Sequence, residues 1–135
     1  MRRVSSFASA CVALVLSGCF FGTTSDPPVT VVGDGVLVID WTINGSTDPN
    51  QCDQASAARL EIIVDPGVGE PSTFSQDCAA FGASIDLAPG TYSASAVLVD
   101  ANGTARTTQV DISSFRIFGD DELHTPIDFP ANSFF

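Results

Sequence analysis

From residue 36 onward, apolar and polar positions alternate with a period of two. Val36-Leu37-Val38-Ile39-Asp40-Trp41-Thr42-Ile43 places Leu37, Ile39, Trp41 and Ile43 on one face of a strand. Leu60, Ile62 and Val64 repeat the alternation with Arg59 and Glu61 turned outward, and Asp65-Pro66-Gly67 ends it. Ala83, Ile85 and Leu87 predict a third strand, with Ser84 and Asp86 outward. After the turn Ala88-Pro89-Gly90, Tyr92, Ala94, Ala96 and Leu98 share one face and Thr91, Ser93 and Ser95 the other. Asp100-Ala101-Asn102-Gly103 reads as a tight hairpin, with Asn-Gly supplying the positive φ values. A return strand is expected over 105–112, and another begins with Phe115 and Ile117. A last strand runs through Thr125, Ile127 and Phe129, and Pro126 and Pro130 confine it to a sheet edge.

About seven short strands with turn signals between them predict one antiparallel β-sandwich over 36–135. Small Ala94 and Ala96 on an inward face leave room for a large partner, and Trp41 is the candidate to fill it. The one helix-like stretch, 54–60, is too short to stand alone and is expected as a helical turn within a loop. The longest loops are expected over 44–58 and 65–79. Loops on a rigid scaffold are where binding usually sits, so these two are the expected binding region.

Residues 1–18 have a different build. Met1-Arg2-Arg3 is a short cationic start, an apolar run follows from Phe7 to Leu16, and small residues close it. That is the pattern of a secretory signal, too short to span a membrane as a helix. The segment 19–35 contains Gly22-Thr23-Thr24-Ser25-Asp26-Pro27-Pro28 and Gly33-Asp34-Gly35, and is expected to be a flexible tether.

Leu16-Ser17-Gly18-Cys19 resembles the lipobox of bacterial lipoproteins, and its position after a cationic start and an apolar run fits as well. The resemblance implies a diacylglyceryl group on the Cys19 thiol, cleavage just before Cys19 and acylation of the new N-terminus. It therefore implies a membrane partner reached through lipid on Cys19, in a bacterial cell envelope. Several acyl chains anchor durably where one would be marginal. The residue after the cysteine is Phe20 and not Asp, which by the same resemblance favours the outer membrane over the inner.

Four cysteines then sort themselves: Cys11 leaves with the signal and Cys19 carries lipid. Cys52 and Cys78 remain, 26 residues apart, as one expected disulfide in an oxidising compartment. Closing such a loop stabilises by about 3–4 kcal/mol in the chain-entropy model. Neither cysteine lies in a C-x-x-C pair, and only one histidine is present to complete a metal site.

The composition narrows the function classes. With 44% hydrophobic and 16% charged residues, the chain can bury a core and is not wholesale disordered. Its formal charge is −11, and removing Arg2 and Arg3 with the signal leaves three arginines against sixteen acids. Such a balance disfavours a nucleic-acid partner. No lysine occurs, so no Schiff-base chemistry is available on this chain.

Candidate chemistry is sparse. His124 stands alone, with Asp120, Asp121 and Glu122 close in sequence. Asp100-Ala101-Asn102-Gly103-Thr104 shares the first half of an EF-hand loop's spacing but lacks its closing carboxylate, and the hairpin explains it. Asp100, Asn102, Asp120 and Asp121 are thus the candidate cation ligands. Gly82-Ala83-Ser84-Ile85-Asp86 lacks the second glycine of a nucleophile elbow. No cofactor and no catalytic residue are expected. Leu87-Ala88-Pro89-Gly90-Thr91-Tyr92 resembles a corner of immunoglobulin-like and transthyretin-like sandwiches, including carboxypeptidase regulatory-like domains. This resemblance implies a fold in which the Tyr packs at the turn, and no activity.

The expectation is a lipid-anchored envelope protein with a non-catalytic sandwich that binds an envelope protein or glycan. The alternatives are a divalent-cation (calcium) module, or a small hydrolase using His124.

Overall fold

The computed structural model describes residues 33–135. Among them are seven strands: β1 (Gly35–Ile43), β2 (Arg59–Asp65), β3 (Ser72–Asp77), β4 (Gly82–Leu87), β5 (Gly90–Val99), β6 (Val110–Ile117) and β7 (Glu122–Phe129). They form a three-stranded sheet ordered β4-β1-β7 and a four-stranded sheet ordered β3-β2-β5-β6. The chain is thus an all-β sandwich, as the alternation predicts. Cys19 and most of the tether segment lie outside the described residues.

Alternation becomes burial. Leu37, Ile39, Trp41 and Ile43 of β1 are at most 1% exposed, and Leu60, Ile62 and Val64 of β2 face them in the same core with Ala94, Ala96 and Leu98 of β5. Removing these apolar faces from water is the main force holding the sheets together. Every buried side-chain nitrogen or oxygen among the described residues has a hydrogen-bond partner. Thr107, 1% exposed, is one example: its hydroxyl accepts the Leu98 amide at 3.1 Å.

The structure departs from the sequence reading at five places. First, β7 pairs with β1 in parallel, whereas the other four pairings are antiparallel. Second, the expected loop 65–79 contains β3, whose Ser72–Asp77 pairs along β2 as an exposed edge. Third, the two strands expected over 105–117 form a single β6 that starts at Val110. A bulge at Ser113-Ser114 breaks its alternation, because Ile112 pairs with Ala94 and Phe115 with Tyr92. Fourth, the helical turn α1 is Asn50–Gln54, not 54–60. Just before it the Asp48 carboxylate accepts the Asn50 amide, and just after it Ser56 takes the left-handed region at φ 54°. Arg59 and Leu60 go to β2, where Leu60 is fully buried. Fifth, in the hairpin only Gly103 takes a positive φ, at 82°.

The strands alternate in direction between two poles. Segments 44–58, 78–81, 100–109 and 130–135 meet at one pole. There Asn44 N donates to Phe129 O, Ala58 N to Val99 O, Cys78 N to Ala58 O and Phe135 N to Arg106 O. Cys52 of α1 is bonded to Cys78 at the start of a 3₁₀ turn (Cys78–Ala80), with 6.1 Å between Cα atoms. The expected disulfide is therefore present and joins two connections, not the centres of the sheets. We call this end the disulfide pole.

The opposite end receives the chain at residues 33–34 and carries 66–71, 88–89 and 118–121. Here Val36 N donates to Asp121 O and Asp120 N to Asp34 O. The corner 87–92 lies here too. Tyr92 Oη donates to the Ala88 carbonyl at 2.7 Å, and its ring stacks on Phe115 with centroids 6.0 Å apart. We call this end the N-terminal pole.

Candidate functional site

A cleft of about 210 Å³ opens at the disulfide pole. Three pieces of backbone build it. Asn44 leaves β1 in the left-handed region at φ 53° and is fixed by its amide bond to Phe129 O. Gln51 and Gln54 are three apart on α1, so they share a face. The segment after the hairpin supplies Arg106, whose amide donates to Leu98 O and whose carbonyl accepts the Phe135 amide. Phe134, held by a bridge to Thr107, closes the other wall.

The charge distribution singles out Arg106. Among the described residues, Arg59 pairs with Glu61 at 3.6 Å and the Arg116 guanidinium lies 5.3 Å over the Phe118 ring. Arg106 donates from Nε to the Ala55 carbonyl at 3.3 Å, and no carboxylate lies within 4.0 Å of it among the described residues. A guanidinium with one edge pinned keeps its other donors for a ligand. Beside it, Asn44, Gln51 and Gln54 each carry a carboxamide, which donates and accepts, and Phe134 and Phe135 add aromatic surface. Drug-sized ligands occupy pockets of about 300–1,000 Å³, so this cleft suits a smaller group such as one sugar unit or one peptide side chain.

The other sequence candidates disperse. Of the two expected binding loops, 44–58 lines the cleft, whereas the glycine-rich tip of 65–79 sits at the N-terminal pole. Asp100 Oδ1 accepts the amides of Asn102 and Thr104, both at 2.9 Å, so that carboxylate closes its own hairpin. Asp120 takes a left-handed φ of 59°, and Asp121 Oδ1 accepts the Glu122 amide at 2.9 Å. Neither pair joins a third ligand: no group of three or more His, Cys, Asp or Glu suited to a metal occurs among the described residues.

His124 lies on the outer face of the three-stranded sheet, exposed, hydrogen-bonded to Glu122 and 3.7 Å from Asp40. Ser84 shares its row, since both register with Val38 of β1. Two strand spacings, roughly 10 Å, separate the two residues, so this serine is out of reach of the histidine. Cys19 lies outside the described residues.

The sequence reading missed Arg106, Phe134 and Phe135. A signal for Arg106 was present: it is one of only three arginines after residue 18 of a strongly acidic chain. The two phenylalanines gave none, because their place beside the helix depends on how β7 lies against β1. No known protein family matches the chain. Comparison with curated proteins found no similar sequence.

Proposed function

We propose that this protein is a bacterial cell-envelope lipoprotein, held in the membrane by lipid on Cys19, whose sandwich has a non-catalytic binding role. The ligand site is the cleft beside Arg106, and the ligand is a hydroxyl- or carboxylate-bearing group of an envelope glycan or protein. The single observation that supports this best is polar: the chain enters at Gly33-Asp34, at the pole opposite the cleft. The nine residues of β1 span about 30 Å between those poles. The link to a lipid upstream of Gly33 therefore joins the sandwich at the end away from the cleft and does not run across it.

Other features agree with this reading. Leu16-Ser17-Gly18-Cys19 follows a cationic start and an apolar run. The buried Cys52–Cys78 bond suits an exported protein. Among the described residues, no helix is long and apolar enough to cross a membrane. Phe20 favours the outer membrane. Membrane fractionation of the full chain and its Cys19→Ser variant tests the proposal. The native chain is expected with the membranes and the variant in the soluble fraction. An identical distribution of the two would contradict the proposal.

A further inference from the structure

We infer that the N-terminal pole rests directly on a phospholipid surface, with Val68 and Phe118 as the side chains that touch it. The inference rests on the Cys19 anchor proposed above and adds an orientation that the anchor alone does not give. About 14 residues separate Cys19 from Gly33 and reach up to roughly 50 Å when extended, so the link by itself leaves the sandwich free to turn.

Three large apolar side chains are exposed among the described residues: Val68 at 87%, Phe118 at 56% and Phe135 at 75%. Phe135 belongs to the cleft. The other two project from the pole where the chain enters, Val68 on the β2–β3 turn and Phe118 on the connection from β6 to β7. Val68 occupies the tip between β2 and β3, flanked by Gly67 at φ 72° and Gly69 at φ 91°. Asp65 Oδ1 braces that tip by accepting the Gly67 amide at 2.7 Å. An isolated apolar side chain at the end of a braced polar turn contributes nothing to the core.

Phe118 follows β6 and lies beneath the Arg116 guanidinium, 5.3 Å from its centroid. An aromatic ring with a cation beside it matches the boundary between acyl chains and phosphate groups. The chain itself enters within this surface, because Asp34 O accepts the Asp120 amide two residues beyond Phe118.

Charge defines the kind of surface. Asp34, Asp65, Glu70, Asp120 and Asp121 crowd the same pole against Arg116 alone. Such a face is repelled by anionic headgroups and tolerates zwitterionic ones. The partner is therefore a zwitterionic lipid surface.

Thiol labelling of the full lipidated chain on phosphatidylcholine vesicles tests this. Cys11 leaves with the signal and is replaced by Ser in the Cys19→Ser form, lipid occupies Cys19 and the disulfide occupies Cys52 and Cys78, so an introduced cysteine is the free thiol to be labelled. Val68→Cys and Ala101→Cys place it at the N-terminal pole and at the disulfide pole, both on exposed loops. With a membrane-impermeant maleimide, Val68→Cys is expected to label about tenfold more slowly on vesicles than in the soluble Cys19→Ser form. Ala101→Cys should label at one rate in both. Adding Phe118→Ser to Val68→Cys, or mixing phosphatidylglycerol into the vesicles, should restore fast labelling.

Equal rates for Val68→Cys in the two forms, with the protein still floating with the vesicles, would overturn the orientation and leave the anchor intact. Protein that fails to float with the vesicles would overturn the anchor, and the orientation with it.

Discussion

The indole N–H of Trp41 donates to the carbonyl of Cys78 at 3.0 Å. This bond ties the central strand of the three-stranded sheet to one half of the disulfide, in a part of the core where both residues are at most 1% exposed. Trp41→Phe removes the donor, leaves that carbonyl buried without it, and opens space where the larger ring stood. The expected loss is about 2–3 kcal/mol, read as a lowered melting temperature by circular dichroism. A loss within a few tenths of a kcal/mol would mean that the carbonyl finds another partner.

The disulfide should matter most at its own pole. Replacing both Cys52 and Cys78 by Ala is expected to cost about 3–4 kcal/mol in chemical denaturation. A five-residue helix has no independent stability, so α1 should lose amide-exchange protection before the sheets do. Uniform loss of protection across the domain would refute a local role for the bond.

Two glycines respond to alanine for different reasons. A Cβ on Gly35 would overlap the Phe118 carbonyl oxygen and the Ile117 side chain, so backbone must shift. Gly35→Ala is expected to cost about 1–3 kcal/mol by crowding. Gly45 has open space around a Cβ but a φ of 70°, and Gly45→Ala should cost about 1 kcal/mol through backbone strain alone. Denaturation midpoints of the two variants would rank them, and the reverse order would contradict the close packing at Gly35.

Arg106→Ala isolates the cleft. Among the described residues its guanidinium makes one hydrogen bond, to the Ala55 carbonyl at 3.3 Å, and the backbone bonds survive the substitution, so folding should change by less than about 1 kcal/mol. Binding of the soluble Cys19→Ser form to isolated envelopes should fall about tenfold, as expected when a charged hydrogen-bond donor is removed. Undiminished binding would move the ligand site elsewhere.

The layers of the sandwich were legible wherever one face of a strand is apolar. Leu37 to Ile43, Leu60 to Val64 and Tyr92 to Leu98 each alternate, and each proved to be a strand with that face inward or toward the core. β3 escaped because Ser72–Asp77 is an edge with a single apolar side chain, Phe74, so its strand character comes from backbone pairing with β2. The adjacent outward Ser113 and Ser114 made β6 read as two pieces. The parallel β1–β7 pairing leaves no local trace, because nothing in either strand encodes the direction of its neighbour. Half of the cleft was legible through its loop, 44–58. Arg106 and Phe134 arrive from segments about 50 and 80 residues further on, brought in by hydrogen bonds that no periodicity reveals.

The most direct measurement is the intact mass and N-terminal peptide analysis of the protein recovered from its native membrane. The expected chain begins at Cys19, with a diacylglyceryl group on Sγ and an acyl group on its amine. A chain recovered with an unmodified Cys19 thiol would contradict it.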